Sequence, residues 1–133
     1  IIEVTENEIN GLNFDKENQV TVFENCTFSN NKITNGSSNV SETGGGAIAI
    51  GFKANNCSVQ FKDCNFTNNY SCSGLASHIW ASANWSSGTY TNCRILLSGT
   101  NTMTNPSISE LMPGKTFYED AAVFINGITL GYN

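Results

Sequence analysis

Five cysteines and one histidine are the side chains of this 133-residue chain with the greatest capacity for covalent or metal chemistry. Thiolates and imidazoles bind structural zinc when they stand in closely spaced pairs, and none of the cysteine spacings forms such a pair. No metal or cofactor is expected. His78 is expected to be a strand residue without a catalytic role. Cys57 and Cys72, which flank the second copy of a repeat described below, are the predicted disulfide pair.

The charged side chains do not predict an active site. A glycoside hydrolase needs two carboxylates about 5–10 Å apart, and a polysaccharide lyase needs cations around its acidic substrate and a basic residue that removes a proton. The three aspartates, Asp15, Asp63 and Asp120, lie far apart in the sequence. The only arginine, Arg94, has Lys62 and Asp63 as its sole charged neighbours at repeat spacing. The chain is therefore predicted not to be an enzyme.

The overall charge is low and acidic, with a net charge of −5 and 13% charged residues. The six basic residues are scattered, so no basic patch is expected to bind nucleic acid. No stretch approaches the about 20 apolar residues of a membrane span. The first residues contain neither a methionine nor a signal-like segment, which predicts a processed product or a fragment.

Seven Asn-x-Ser/Thr tripeptides are potential acceptors of N-linked glycans. Some lie in turn-rich segments, and Asn65 is expected to point outward from a strand. The predicted acceptors are Asn35, Asn39, Asn65, Asn69 and Asn84. Asn56 and Asn25 are weaker candidates, because Asn25 is expected to stack on Asp63 and Asn92 at a corner of the chain. Together with the cysteine content, these sites predict a secreted or cell-surface glycoprotein.

A repeated sequence segment indicates which secondary-structure elements contain these residues. The segment 23–31 (FENCTFSNN) returns 38 positions later as 61–69 (FKDCNFTNN), and 90–93 (YTNC) is a third, worn copy. The segment 45–50 (GGAIAI) precedes 74–79 (GLASHI) by 29 positions, the spacing between Phe61 and Tyr90. Self-similarity of this kind is typical of a solenoid. The unit is rich in Phe, Ile, Val, Thr and Asn, which indicates strands.

Alternating apolar residues support strands and predict corners between them. Val20 and Val22 alternate with polar residues, and the phase slips by one residue at Asn25 and Asp63. Asn and Asp tolerate left-handed backbone conformation, so they can turn the chain sharply between two strands. A further corner is expected at the Asn-Asn pair of each copy. The pattern predicts a parallel β-helix of about three to five coils, whose core contains Phe23, Phe28, Phe61, Phe66 and a stack of Cys26, Cys64 and Cys93.

The motif 45–48 (GGAI) and the motifs 28–31 (FSNN) and 66–69 (FTNN) resemble the GGA(I/L/V) and FxxN repeats of the chlamydial polymorphic outer membrane proteins. Those proteins are similar to the wider class of right-handed β-helices that includes pectate lyases. The resemblance covers roughly residues 20–97 and implies an all-β, right-handed parallel β-helix. We expect one domain over residues 1–133, with 98–133 as a degenerate coil or cap. Such a fold by itself does not define a function.

The ends of a solenoid expose strand edges that recruit another chain unless they are capped. The predicted function is therefore a non-enzymatic, glycosylated structural subunit of a surface coat or extracellular filament that associates head-to-tail. One alternative is an adhesin or autotransporter passenger fragment, with Trp80 and Trp85 as candidate ligand contacts. Another is a fragment of a polysaccharide-active enzyme. At the level of the fold, a β-sandwich with strand exchange is the alternative.

Overall fold

The computed structural model of the chain describes residues 2–5, 11–33, 45–71, 78–104 and 123–132. Within those ranges the backbone forms sixteen strands and no helix. The described part of the chain is therefore all-β, as its β-branched and aromatic residues predict. The predicted acceptors Asn35 and Asn39 lie outside the described residues, as does Cys72.

Twelve of the strands form three four-stranded sheets in which every neighbouring pair is parallel. Sheet A contains β1 (Ile2–Thr5), β4 (Cys26–Ser29), β8 (Asn65–Thr67) and β14 (Thr102–Thr104). Sheet B contains β2 (Gly11–Phe14), β6 (Ile48–Phe52), β10 (Ile79–Ser82) and β15 (Val123–Asn126). Sheet C contains β3 (Val20–Glu24), β7 (Ser58–Lys62), β13 (Arg94–Ser98) and β16 (Thr129–Tyr132). Two small sheets complete the described structure: β5 (Lys32–Ile33) pairs with β9 (Tyr70–Ser71) in parallel, and β11 (Asn84–Trp85) forms an antiparallel hairpin with β12 (Gly88–Thr89).

The chain visits sheets B, C and A in turn, and each set of strands lies beside the next set. The register follows the 38-residue sequence repeat, because Phe23 lies beside Phe61 and Phe28 beside Phe66. Each set therefore supplies backbone hydrogen-bond partners to its neighbour. The strands β14, β15 and β16 continue the three sheets within the part of the chain predicted to be a degenerate coil or cap.

Sharp corners separate the strands, and residues with positive φ occupy them. Asn25 has φ 54° and Asp63 has φ 53°, which confirms the predicted left-handed corner between sheets C and A. Asn30 and Asn68 (φ 60° and 56°) form the next predicted corner. A third corner, before sheet C, contains Asn18, Asn56 and Asn92. Asn and Asp occupy this backbone region more readily than other residues that have a Cβ.

The prediction that Asn25 and Asp63 share a corner with Asn92 is therefore wrong. The side-chain amide of Asn92 donates to Oδ1 of Asn56, and the amide of Asn56 donates to Oδ1 of Asn18. Asn92 thus belongs to the corner before sheet C.

Aromatic stacks fill the space between the sheets. Phe28 and Phe66 stack with ring centroids 4.8 Å apart, and Phe23 stacks on Phe61 at 5.3 Å. Phe28, Phe61 and Phe66 are fully buried, and Phe23 packs against them. These positions confirm the predicted aromatic core. Each buried Phe contributes about 1.5–3 kcal/mol from removal of its surface from water, and each ring pair about 0.5–1.5 kcal/mol more.

The alternation of Val20 and Val22 with polar residues does not place these two valines in the core. Both point to solvent, with 66% and 52% of their surfaces exposed. Side chains alternate across a strand, so Phe23, which points inward, leaves Val22 and Val20 on the outer face of β3.

The predicted stack of three cysteines is also wrong. Cys26 does lie beside Cys64, because Thr27 pairs with Asn65. Cys93, however, lies beside Cys57, because Arg94 pairs with Ser58 and the Arg94 N–H donates to the Cys57 carbonyl at 3.0 Å. The chain therefore buries two separate cysteine pairs at two corners. Both corners place a small apolar residue directly after a left-handed Asn or Asp, so their sequences look alike.

Candidate functional site

The outer face of sheet B carries three aromatic side chains, Trp80, Trp85 and Phe124, which we call the aromatic cluster. Ile79 and Ala81 of β10 are fully buried, and side chains alternate across a strand, so Trp80 between them points outward. Phe124 lies beside Trp80 on β15, with ring centroids 6.2 Å apart and an interplanar angle of 16°. Both rings are partly exposed.

The β11–β12 hairpin holds Trp85 over the same face. Its Nε1 donates to the Phe52 carbonyl at 2.8 Å, and Lys53 Nζ lies 4.9 Å from the centre of its ring. Its ring meets Trp80 edge-on at 6.0 Å. A Cβ at Gly51 would lie 2.9 Å from Oδ1 of Asn13 and 3.4 Å from the Trp85 ring, so the glycine makes room chiefly for the Asn13 side chain, with the indole in ordinary contact beside it.

An opening lies on the side of Trp80 opposite Phe124. The column of outward positions that contains Phe124 and Trp80 continues across sheet B as Ala49 and Gly11. Neither of these residues has a side chain large enough to continue the aromatic stack. Among the described residues, nothing lies within 4 Å of the position that a Cβ would take at Gly11. Since neighbouring strands are about 4.8 Å apart, the opening is roughly 10 Å wide, and we call it the slot.

The indole of Trp80 carries a polar atom that the fold leaves unsatisfied. Its Nε1 is buried and has no hydrogen-bond partner among the described residues. An unpaired buried donor costs about 1–3 kcal/mol. A phenylalanine would stack on Phe124 without this cost, so packing alone does not account for a tryptophan at position 80.

A cluster of three polar side chains is buried between the sheets, and its members are Asn31, Asn69 and His78. Oδ1 of Asn69 accepts from the backbone N–H of Asn31 at 3.0 Å and from its Nδ2 at 3.1 Å. Nδ2 of Asn69 donates to the Phe28 carbonyl at 3.0 Å and lies 3.1 Å from Nδ1 of His78. These bonds join the ends of β4 and β8 to the start of β10. The sequence repeat contained both asparagines, but their contact with His78 depends on the fold.

Burial controls the protonation of His78, which is 2% exposed. Desolvation lowers the pKa of its imidazole from 6.5 to about 4, because burial disfavours the charged form. The neutral ring accepts the Asn69 amide at Nδ1, so the proton is assigned to Nε2. The imidazole lies beside Phe66, with ring centroids 5.6 Å apart.

Two of the described glycosylation tripeptides have accessible asparagines whose Nδ2 takes part in none of the described hydrogen bonds. Asn65 is exposed on the outer face of sheet A, and its Oδ1 accepts the Thr102 hydroxyl at 2.6 Å. Asn25 is exposed at its corner. Because a sugar bonds to Nδ2, these two sites have the appropriate atom available.

The other three described tripeptides use their Nδ2 atoms. Asn56 donates to Asn18, and Asn84 donates to Oδ1 of Asn126 at 2.9 Å, although both are exposed. Asn69 is 0% exposed, and its Nδ2 has the two partners described above. This fold leaves no room for a sugar there, so the prediction of Asn69 as an acceptor is wrong for the folded chain.

The four described cysteines are buried, and none of them forms a disulfide with another described cysteine. Burial raises the pKa of Cys64 and of Cys93, which favours the neutral thiol. The Sγ of Cys57 donates to the Lys16 carbonyl at 3.3 Å. These side chains pack as small hydrophobic groups. The Cys57–Cys72 disulfide stays a prediction, because Cys72 lies outside the described residues.

Within the described ranges, no three His, Cys, Asp or Glu side chains are close enough to share a metal ion. The same part of the chain contains no helix that is long and apolar enough to cross a membrane. No protein family, curated protein or solved structure matches the chain. The parallel sheets and the surfaces described above are therefore the observations from which a function follows.

Proposed function

We propose that the chain is a right-handed parallel β-helix and that it acts as a non-enzymatic structural subunit of an extracellular coat or filament. The repeated order of strands from sheets B, C and A, each parallel to its counterpart in the next set, supports the β-helix. The handedness follows the general rule that connections between parallel strands are right-handed in nearly all proteins. The subunits join head-to-tail through their strand edges.

The unpaired edge of β3 is the observation that carries this proposal. The Ser58 N–H donates to the Gln19 carbonyl at 3.0 Å. In a parallel ladder, alternate residues of a strand bond to the same neighbour, so Gln19 and Thr21 face β7. Val20 and Val22 direct their own N–H and C=O groups to the opposite side, where no described strand lies. Such groups are a template for another strand.

The opposite side of the stack offers a second edge. The strands β14, β15 and β16 are the last in their sheets among the described residues. A cavity of about 370 Å³ opens beside β14 and β16, and it is lined by Leu97, Gly99, Asn101, Met103 and Tyr132. The partly buried Leu97 and Met103 give this end an apolar recess that an added coil would cover.

Exposed apolar side chains are concentrated on the same end strands. The exposed large hydrophobic residues of the described chain all belong to β3, β15 or β16, and they are Val20, Val22, Ile125 and Tyr132. A strand edge with apolar side chains favours strand addition by a second copy, because backbone hydrogen bonds and burial of apolar surface then act together.

The same proposal places the protein outside the cell with N-linked glycans. Asn65 is the acceptor best supported by its geometry, followed by Asn25. A glycan on Asn65 covers the outer face of sheet A and leaves the strand edges open for assembly. Intact-mass measurements of the glycosylated wild type and of two variants test this. Asn65→Gln should be lighter than the wild type by one glycan, whereas the mass of Asn69→Gln should differ only by the substitution itself.

Electron microscopy of purified protein tests the assembly. Val22→Pro removes an N–H that faces the free edge but keeps the β3–β7 ladder, and proline is tolerated on edge strands. The matched control is Val22→Thr, which keeps both the branched shape and the N–H. We expect filaments or regular arrays from the wild type and from Val22→Thr, and monomers with unchanged circular dichroism from Val22→Pro. Monomeric wild-type protein, or filaments that persist in Val22→Pro, would overturn the proposal.

A further inference from the structure

We propose that the slot beside Trp80 binds a neutral oligosaccharide, with one sugar ring lying over Ala49 against the side of the indole opposite Phe124. This binding function goes beyond the structural role proposed above. It depends on a single chain and does not require assembly.

The dimensions of the slot suit a sugar ring. Stacked rings in this protein are separated by 4.8 to 6.2 Å, the spacing imposed by neighbouring strands. The aromatic stack ends at Trp80, since Ala49 and Gly11 occupy the next two positions of the column. A pyranose ring has an apolar face of C–H groups and a thickness similar to that of an aromatic ring. It can therefore take the position that a third ring would occupy, and no atom of the described residues lies within 4 Å of a Cβ at Gly11, where a second sugar would follow.

The charge of this face favours a neutral ligand. The outward positions of sheet B carry no acidic or basic side chain, and they are Gly11, Asn13, Ala49, Gly51, Trp80, Ser82, Phe124 and Asn126. Lys53, the residue that follows β6, lies over the ring of Trp85. The net charge of −5 disfavours acidic polysaccharides. The exposed amide of Asn13 lies in the neighbouring column, where it can hydrogen-bond to a sugar hydroxyl.

Trp80 itself is the strongest indication of a ligand. Its buried N–H has no partner in the part of the chain that the structure describes, and a phenylalanine would stack on Phe124 without leaving such a group. Its partner Trp85 is fixed by a hydrogen bond and by Lys53, so the cluster is rigid before any ligand arrives. A preorganised aromatic surface reduces the entropy that binding would otherwise cost.

A titration with defined oligosaccharides tests this inference. The probes are cellotetraose, chitotetraose and mannotetraose as neutral ligands and tetragalacturonate as the acidic comparison, followed by saturation-transfer NMR and tryptophan fluorescence. We expect at least one neutral probe to bind with a dissociation constant of about 1 mM. Ala49→Phe fills the slot with a third ring, and Trp80→Ala removes its wall. Each should weaken binding by about tenfold or more.

The matched control is Lys62→Phe, which adds the same ring to an exposed outward position of the internal strand β7 in sheet C and should leave binding unchanged. Circular dichroism and light scattering are recorded for every variant. If Trp80→Ala does not fold, Ala49→Phe still tests whether the ligand binds in the slot. The inference is overturned if no neutral probe binds below about 10 mM, if tetragalacturonate binds more tightly than every neutral probe, or if Ala49→Phe binds like the wild type. A dimer of the wild type that Ala49→Phe abolishes would overturn it too, because a second copy would then occupy the slot.

Discussion

Acidification should destabilise this protein through His78 before its carboxylates are protonated. In the folded chain, burial lowers the pKa of the imidazole to about 4, whereas an unfolded chain has the ordinary value of 6.5. Below 6.5 the unfolded state therefore binds a proton that the folded state does not bind. The stability that comes from the neutral, buried ring is present above 6.5 and is lost as the pH falls toward 4.

The size of the effect follows from the two pKa values. The free energy of unfolding should fall by about 2 kcal/mol between about pH 7 and about pH 5, and by about 3 kcal/mol at about pH 4. Urea denaturation followed by tryptophan fluorescence at a series of pH values measures it. The range above about pH 5 is the informative one, because ordinary carboxylates titrate below it.

The control variant is His78→Gln, whose side-chain carbonyl can accept the Asn69 amide but does not titrate. Its stability should be nearly constant between about pH 7 and about pH 5. If the wild type and His78→Gln lose stability in parallel over this range, the reasoning from burial is refuted. A loss in the wild type alone would locate the effect at His78.

Two further predictions concern single positions. Gly99→Ala should lower the free energy of unfolding by about 1–3 kcal/mol, because Gly99 has φ +66° and the new Cβ would collide with Oδ1 of Asp63. The control is Gly11→Ala, whose Cβ meets no atom of the described residues within 4 Å. In the same urea titration it should change the free energy of unfolding by less than about 0.5 kcal/mol. Trp80→Phe should leave the free energy of unfolding unchanged or raise it by up to about 1 kcal/mol, because it removes a buried N–H that has no partner among the described residues and keeps the stack on Phe124. Thermal unfolding measures this. A loss above about 2 kcal/mol would mean that the packing of the indole stabilises the fold by more than its N–H costs.

The repeat in the sequence predicted the strands, the parallel pairing of the first two copies and two of the corners. Those features depend on local chemistry, since an Asn or Asp tolerates the left-handed turn and a Phe fills the core beside it. The alignment of the third copy failed for the same reason. Asn92-Cys93 satisfies the requirements of the corner at Asp63-Cys64 and of the corner at Asn56-Cys57 equally well. The structure distinguishes them, since Arg94 pairs with Ser58 and the Asn92 amide donates to Asn56.

The candidate site was less predictable from the sequence. The GGAIAI comparison paired Ile50 with Ile79, whereas the structure pairs Ile48 with Ile79, a shift of two residues that keeps the same face inward. The two tryptophans were recognised as candidates, but their contact with Phe124 was not. Phe124 follows Trp80 by 44 positions, beyond the repeat length, so no spacing in the sequence connects the two rings.

The column of corner amides has a mechanical consequence. Asn18, Asn56 and Asn92 form this column, and their hydrogen bonds join neighbouring sets of strands, since Asn56 is 38 positions from Asn18 and 36 from Asn92. Within the described ranges, these bonds attach each set of strands to the sets beside it. A pulling force along the axis of the stack acts on one interface at a time, so the chain should come apart in discrete steps, each releasing about one repeat of extended polypeptide.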